Sequence, residues 1–215
     1  INHAIDRPLI AKVLFGKFAD PSAQLQGKGF MGYDAANEAK YPYDINKAKA
    51  LLAEAGYDKA PKEIRLGWVN NSMSVTLSQV VMQQLKRVGI VVKPIEYQNF
   101  GAMLQAEAKK EVELLVFNTN FGVPNLAKNQ TLAKGSLNMY KTTDDTLTKL
   151  MDEAGNLPLA KAEGAWKKVY AHAVDLAWIA PIAHTHVAYF VHESVKFPKV
   201  GASIVVDVVN MVPAK

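Results

Sequence analysis

At 215 residues the chain is long enough for one large domain or two small ones, with a sizeable buried core. Its 49% hydrophobic and 21% charged residues are an ordinary globular balance that argues against disorder, and the absence of cysteine excludes disulfides, thiolate zinc sites and cysteine nucleophiles. The net charge of +5 comes from scattered lysines whose densest groups are pairs such as Lys109-Lys110 and Lys167-Lys168, without a basic stripe interleaved with aromatics, so solvated helix faces are favoured over nucleic-acid binding.

No apolar run is long enough to span a bilayer, and no signal peptide precedes Ile1. The chain opens with Ile1 rather than Met, at what reads as the start of a helix, so a portion of a longer protein is expected. That helix runs from His3 to Phe15, with Ile5, Leu9, Ile10, Val13 and Leu14 at helical spacing, Asn2 as its cap and Gly16 as its stop. Residues 17–43 are punctuated by Pro21, Gly27, Gly29, Gly32 and Pro42 and read as a long loop, of the kind that is functional or tied to a neighbour. Asp44 caps a helix to Ala55 with Ala48, Leu51, Leu52 and Ala55 inward, and Gly56 ends it in the left-handed C′ position.

Glu63–Val69 is the next predicted strand, followed by a helix from Ser74 to Val88 that stops at Gly89. Ile90–Tyr97 alternates as a strand, and Pro94 places it at an edge or a strand end. Asn99 caps a helix to Lys110, and Val112–Phe117 reads as a short buried strand. After a second irregular stretch from Asn118 to about Lys141, helices follow from Thr143 or Asp144 to Ala154 and from Leu159 to Leu176. Apolar segments at Trp178–His184 and Val187–Val191 and a strand-and-turn tail from Val195 to Val212 complete the chain. Strands alternating with helices argue for an α/β fold with no internal repeat.

Two motifs in this order carry a family resemblance. "AIDRPLIAKVLFG" is followed by a glycine- and proline-bearing loop and then by "YPYDINKAKALLAEAGY". The segment from Ala4 to Tyr57 closely resembles the second lobe of the extracellular solute-binding proteins, family 5, which serve peptide, nickel and related ABC importers. "VVMQQLKRVGIVVKPIEY", "NMYKTTDDTLTKLMDEA" and "WKKVYAHAVDLAWIAPIAHTHVAYFV" resemble the rest of that lobe more loosely. The resemblance implies a periplasmic-binding-protein-like lobe, with a mixed central sheet flanked by helices, over residues 1–215. It implies one jaw of a ligand cleft whose partners are a peptide or other small solute, an N-terminal lobe of the same protein, and a membrane permease. It implies a periplasmic or extracellular location and no enzymatic role. Neither a cofactor nor a resident metal is expected.

The candidate ligand contacts follow from position. "FNTNFGVPNLAKNQ" follows a buried strand, where α/β folds place ligands. In peptide-binding members the matching loop bears an aspartate that grips the peptide's α-ammonium. Here Asn118, Asn120, Phe121 and Asn125 stand in a stretch without carboxylates. A neutral amide cannot supply that charge-assisted bond, so a neutral, sugar-like or anionic solute is expected to face this loop. Trp68, at a strand end, either lines the cleft or fills the core. His184 and His186, two apart in an apolar strand, either form a wall or begin a metal site. Asp6 and Arg7 read as local architecture, with Arg7 paired to a neighbouring carboxylate. Tyr41, Tyr43 and Asp44 lock the approach to the second helix, while His172 and His192 read as surface residues. No nucleophile elbow, phosphate loop, HExxH or GxGxxG motif is present. The competing readings are a metal-dependent α/β enzyme domain using His184 and His186, and a sensory solute-binding domain.

Overall fold

The computed structural model describes residues 1–119, 128–133, 135, 138, 141–197 and 211–214. A proline shapes the first helix. Pro8 lacks an amide proton and is tolerated only in a first turn. The chain therefore makes a short turn at Asn2–Ala4, straightens at Ile5, and starts α1 (Arg7–Ile10) with Asp6 as the cap accepting from the Leu9 amide at 3.0 Å. Asn2 is not a helix cap. π-helical turns continue α1 over Ala11–Phe15, and Gly16 (φ +58°) ends them. Ile5 and Ile10 are buried, whereas Leu9 and Val13 face outward, because only one of two adjacent four-residue stripes can meet the core.

The long loop contains two short elements that apolar periodicity does not reveal, β1 (Ala19–Pro21) and α2 (Ala35–Glu38). α3 (Ile45–Glu54) begins at Asp44, whose side chain accepts from the Lys47 amide at 2.8 Å. It ends in a Schellman turn: Gly56 (φ +73°) donates to Ala53 and Tyr57 donates to Leu52. Ala48 is buried and Leu52 partly so, but Leu51 and Ala55 are exposed, so the inner face is narrower than expected.

β2 (Ile64–Val69), β3 (Val92–Tyr97) and β4 (Leu114–Val116) form a parallel sheet in the order β3-β2-β4. Pro94 sits on the edge strand β3, where its missing donor is tolerated. α4 (Ser72–Arg87), capped by Asn71, joins β2 to β3, and α5 (Phe100–Ala108), capped by Asn99, joins β3 to β4. The first crossover moves one strand outward and the second returns past β2. Right-handed connections therefore put the two helices on opposite faces. Side chains agree. Leu66 and Trp68 join Val81, Leu85 and Val88 in one core cluster. Gly67 faces the other side, where an added Cβ would lie 2.8 Å from the Tyr97 ring and 2.9 Å from Leu115.

A second core cluster forms around α6 (Asp145–Gly155) and α7 (Glu163–Leu176), with Leu147, Met151, Trp166, Val169 and Tyr170 buried in it. β5 (Ala183–Thr185) pairs antiparallel with β1, and β6 (Val195–Lys196) with β7 (Val212–Pro213). The described residues thus make an α/β structure with both parallel and antiparallel sheets. The apolar segment Val187–Val191 forms no strand, and Phe190 is 98% exposed.

Candidate functional site

All three parallel strands end on amide-rich sequence. β2 runs into Asn70 and Asn71, β3 into Gln98 and Asn99, and β4 into Phe117, Asn118 and Thr119. Asn70, Asn71, Gln98, Asn99, Asn118 and Thr119 are exposed along the carboxyl edge of the sheet. The Asn70 amide donates to the Tyr97 carbonyl at 2.8 Å, holding the first two turns side by side. Asn71 and Asn99 each turn their side chain back onto the following helix, accepting from Ser74 and Ala102 at 2.9 Å. The Asn71 side-chain amide also donates to the Val69 carbonyl at 3.3 Å. Because the strand order reverses at β2, with β3 on one side and β4 on the other, β2 and β4 flank the topological switch point, where open α/β sheets receive ligands.

The electrostatics past the strand ends are uniform. No charged residue occurs in 66–85, 97–106 or 114–127. Two helix N-termini add partial positive charge there. The residues past the strand ends therefore offer amides, hydroxyls and backbone dipoles, and the carboxylate nearest to them on β3 is the exposed Glu96, one residue before that strand ends.

The sequence-expected residues do not converge on one point. Asn118 lies on the edge, while Asn120, Phe121 and Asn125 fall outside the described residues. Trp68 is 5% exposed and belongs to the core beneath the edge with Ala4, Ile5, Ile10 and Leu85. Its alternation partner Leu66 faces the same way, so the core reading holds. The Trp68 indole N–H is buried without a hydrogen-bond partner.

His184 lies elsewhere, on the β1–β5 ribbon. Its Nε2–H donates to the Gln24 carbonyl at 3.1 Å, and its ring rests against Gly27. His186 faces solvent and meets the Asp20 carboxylate at 2.8 Å. The two histidines therefore serve different partners, and among the described residues no group of three or more His, Asp or Glu can hold a metal. Burial pushes the His184 imidazole below its ordinary value, against the opposing pull of the Gln24 carbonyl, Glu38 and Asp20.

Two further expectations need correction. Arg7 is buried and finds no carboxylate. Its guanidinium donates to the carbonyls of Pro181, Asn2 and Tyr41 and to the Asn2 side chain, because those groups converge where α1 begins. His172 is not a free surface residue: its ring bonds the helix-capping carboxylate of Asp144 at 2.8 Å. Asn138, in the "NMY" stretch, is a turn clamp, donating to the Ala133 and Thr142 carbonyls and accepting from the Thr142 amide. The rim residues Asn70, Gln98 and Asn99 escaped sequence reasoning, which read Asn99 only as a cap. The recurrence of amides directly after each predicted strand was the available signal.

The profile of "Bacterial extracellular solute-binding proteins, family 5 Middle" matches residues 1–140. The chain belongs to this family. The glutathione-binding protein GsiB of Shigella flexneri serotype 5b is 28% identical over 214 aligned residues, covering 84% of this chain and 42% of the relative. GsiB of Escherichia coli K12 is likewise 28% identical, with 41% of its length covered. The chain thus spans less than half the length of these curated relatives. Among solved structures, DppA from Helicobacter pylori in complex with the peptide STSA has a TM-score of 0.74 at 23% identity, over 86% of this chain and 37% of that one. NikA from Staphylococcus aureus in complex with Ni(L-His)2 also has a TM-score of 0.74, at 16% identity over 94% of this chain and 44% of that one. These likenesses establish the periplasmic-binding-protein-like fold. The extracellular family agrees with the expected location, and no helix among the described residues is long and apolar enough to cross a membrane.

Proposed function

We propose that residues 1–215 form one lobe of a receptor for an ABC importer. The lobe closes with an N-terminal lobe of the same protein over a small solute and presents it to a membrane permease. It carries no reaction centre of its own. The observation that supports this reading best is the uncharged, amide-lined carboxyl edge of the parallel sheet at its switch point. Asn118, with Asn120, Phe121 and Asn125 on the same loop, contacts the solute, and Asn70 and Gln98 extend the contact along the edge. His184 acts through the neighbouring loop, and Trp68 supports the edge from below.

The face that this lobe turns to the solute is neutral or accepts an anion. A peptide ligand, like the glutathione of GsiB or the STSA peptide of DppA, would place its carbonyls or carboxylate here and its ammonium on the opposite lobe. Native mass spectrometry of the full-length protein purified without added ligand tests the class, and calorimetry with Asn118→Ala tests the site. A co-purified small solute whose affinity falls at least tenfold in the variant supports both. A full-length protein that binds no peptide, sugar, carboxylate or metal chelate in a thermal-shift screen would overturn the receptor reading. A ligand ammonium held against Asn118 would overturn the charge argument alone.

A further inference from the structure

We propose that His184 is an acid-sensitive latch for the loop of residues 22–38, holding it closed at neutral pH and releasing it when the imidazole protonates. The loop is closed on itself by one carboxylate. Glu38 accepts from the Ser22 hydroxyl, the Ala23 amide and the Gln24 side chain at 3.0, 2.7 and 2.8 Å. Gln24 is fully buried, and its side chain also donates to the Asp34 carbonyl and accepts from the Asp34 amide. Gln26 is buried too and donates to the Tyr170 hydroxyl at 2.7 Å, fastening the loop to α7. His184 enters this assembly from β5. Its Nε2–H reaches the Gln24 carbonyl, and its ring lies where a Cβ on Gly27 would come within 3.4 Å.

The groups roofing the ring are therefore neutral. The charged and titratable groups that face it are Asp20 on β1 and Glu38 on α2, with His186 just past the end of β5. Both carboxylates are already engaged. Asp20 holds His186 at 2.8 Å, and both oxygens of Glu38 hold the loop. An imidazolium at His184 retains the Gln24 and Gln26 backbone carbonyls as neutral acceptors and has two ways to gain further solvation of its charge. Either the roof lifts to admit water, or Glu38 turns toward the ring and lets go of Ser22, Ala23 and Gln24. Each route loosens the same loop. The sign agrees with the depressed titration of the folded imidazole: the neutral ring's contribution is complete above the ordinary imidazole range and is lost as pH falls through the folded value.

Hydrogen exchange on the 215-residue chain, corrected for intrinsic rates, tests the latch between pH 7.5 and 5. The amides of Ala23, Gln24 and Asp34 are expected to lose protection as pH falls, with a slope approaching tenfold per pH unit while the single proton is taken up. Amides inside α4 are expected to hold theirs. His184→Gln keeps a donor for the Gln24 carbonyl but cannot titrate, so its loop protection is expected to stay flat, while His186→Gln retains the wild-type slope. Loop protection that does not change in the wild type, or an unchanged slope in His184→Gln, would overturn the proposal. If His184→Gln does not fold, the wild-type chain decides by NMR. The His184 ring and the Ala23 amide must titrate with one midpoint, and separate midpoints overturn the latch.

Discussion

Arg7 holds together three chain segments that are far apart in sequence, and does so without a countercharge. Its planar fork satisfies the carbonyls of Asn2, Tyr41 and Pro181 at once, which a lysine's single ammonium cannot match. Arg7→Met would leave the buried Asn2 carbonyl and the half-buried Tyr41 and Pro181 carbonyls without this donor, a fully buried one being worth about 1–3 kcal/mol. A loss of about 3 kcal/mol or more in urea denaturation is expected, and a loss below about 0.5 kcal/mol would refute the clamp. Gly32 and Gly16 make a second contrast at this scale. Both have positive φ, but an alanine Cβ at Gly32 would lie 2.6 Å from the buried Tyr170 ring, whereas at Gly16 it would meet open space. Gly16→Ala is expected to cost about 1–3 kcal/mol, the penalty of a backbone (φ +58°, ψ −123°) that glycine alone adopts readily. Gly32→Ala adds overpacking of about 1–3 kcal/mol, and thermal unfolding of the pair separates the two contributions.

Helices are the elements best written into this sequence, because their ends are marked chemically. Asp44, Asn71, Asn99 and Asp144 each accept from an amide three residues on, and Gly56 and Gly89 close α3 and α4 in left-handed turns. Asp44→Ala and Asn99→Ala are each expected to cost about 1 kcal/mol in chemical denaturation. Asp144 does more, since it caps α6 and bonds His172 of α7. The Leu147 amide and then His172 hold its carboxyl below the usual range, so its contribution is lost as pH falls through the folded value. Asp144→Asn should therefore flatten the acid limb of the thermal stability curve, and an unchanged limb would separate α6 capping from the pH response. Strands were less legible. β1 is three residues long and exists because β5 returns 164 residues later to pair with it, a long-range fact that no local period records. The amide rim hid for a related reason. Asn71 and Asn99 announce themselves as caps, and only the parallel pairing of β2 with β3 brings them onto one edge. Trp68 was ambiguous from sequence because a strand end is both a cleft wall and a core margin. Its placement opposite Gly67, facing α4, decides for the core.

At the scale of the molecule, titration narrows stability from both sides. Glu113, held low first by the Arg65 side chain, joins Asp144 and His184 in losing stability on acidification, while the Glu107 carboxyl, raised by burial, opposes them. Tyr41, Tyr97 and Tyr170 are all raised by burial, so stability falls again as pH climbs through the phenol range. The surface is where the proposed second lobe has its clearest consequence. Phe190 projects into solvent, Val187 and Val191 beside it in sequence are exposed, and the exposed Phe18 lies next to His186 through its carbonyl, 2.7 Å from that amide. Three exposed apolar side chains within five residues, next to a backbone contact with the exposed Phe18, are a candidate face for a partner. The relatives are more than twice as long as the matched segment, and the second lobe proposed above is the occupant this face would take. The 215-residue chain alone is then expected to bind a hydrophobic dye or to self-associate in analytical ultracentrifugation, and the full-length protein is expected to do neither. Phe190→Ser should suppress self-association without lowering the melting temperature, since a side chain that is 98% exposed makes almost no contact within the lobe. In the full-length protein the same substitution should destabilise by about 2 kcal/mol, the burial of one phenylalanine. A variant that leaves full-length stability unchanged would show that the second lobe does not cover this face.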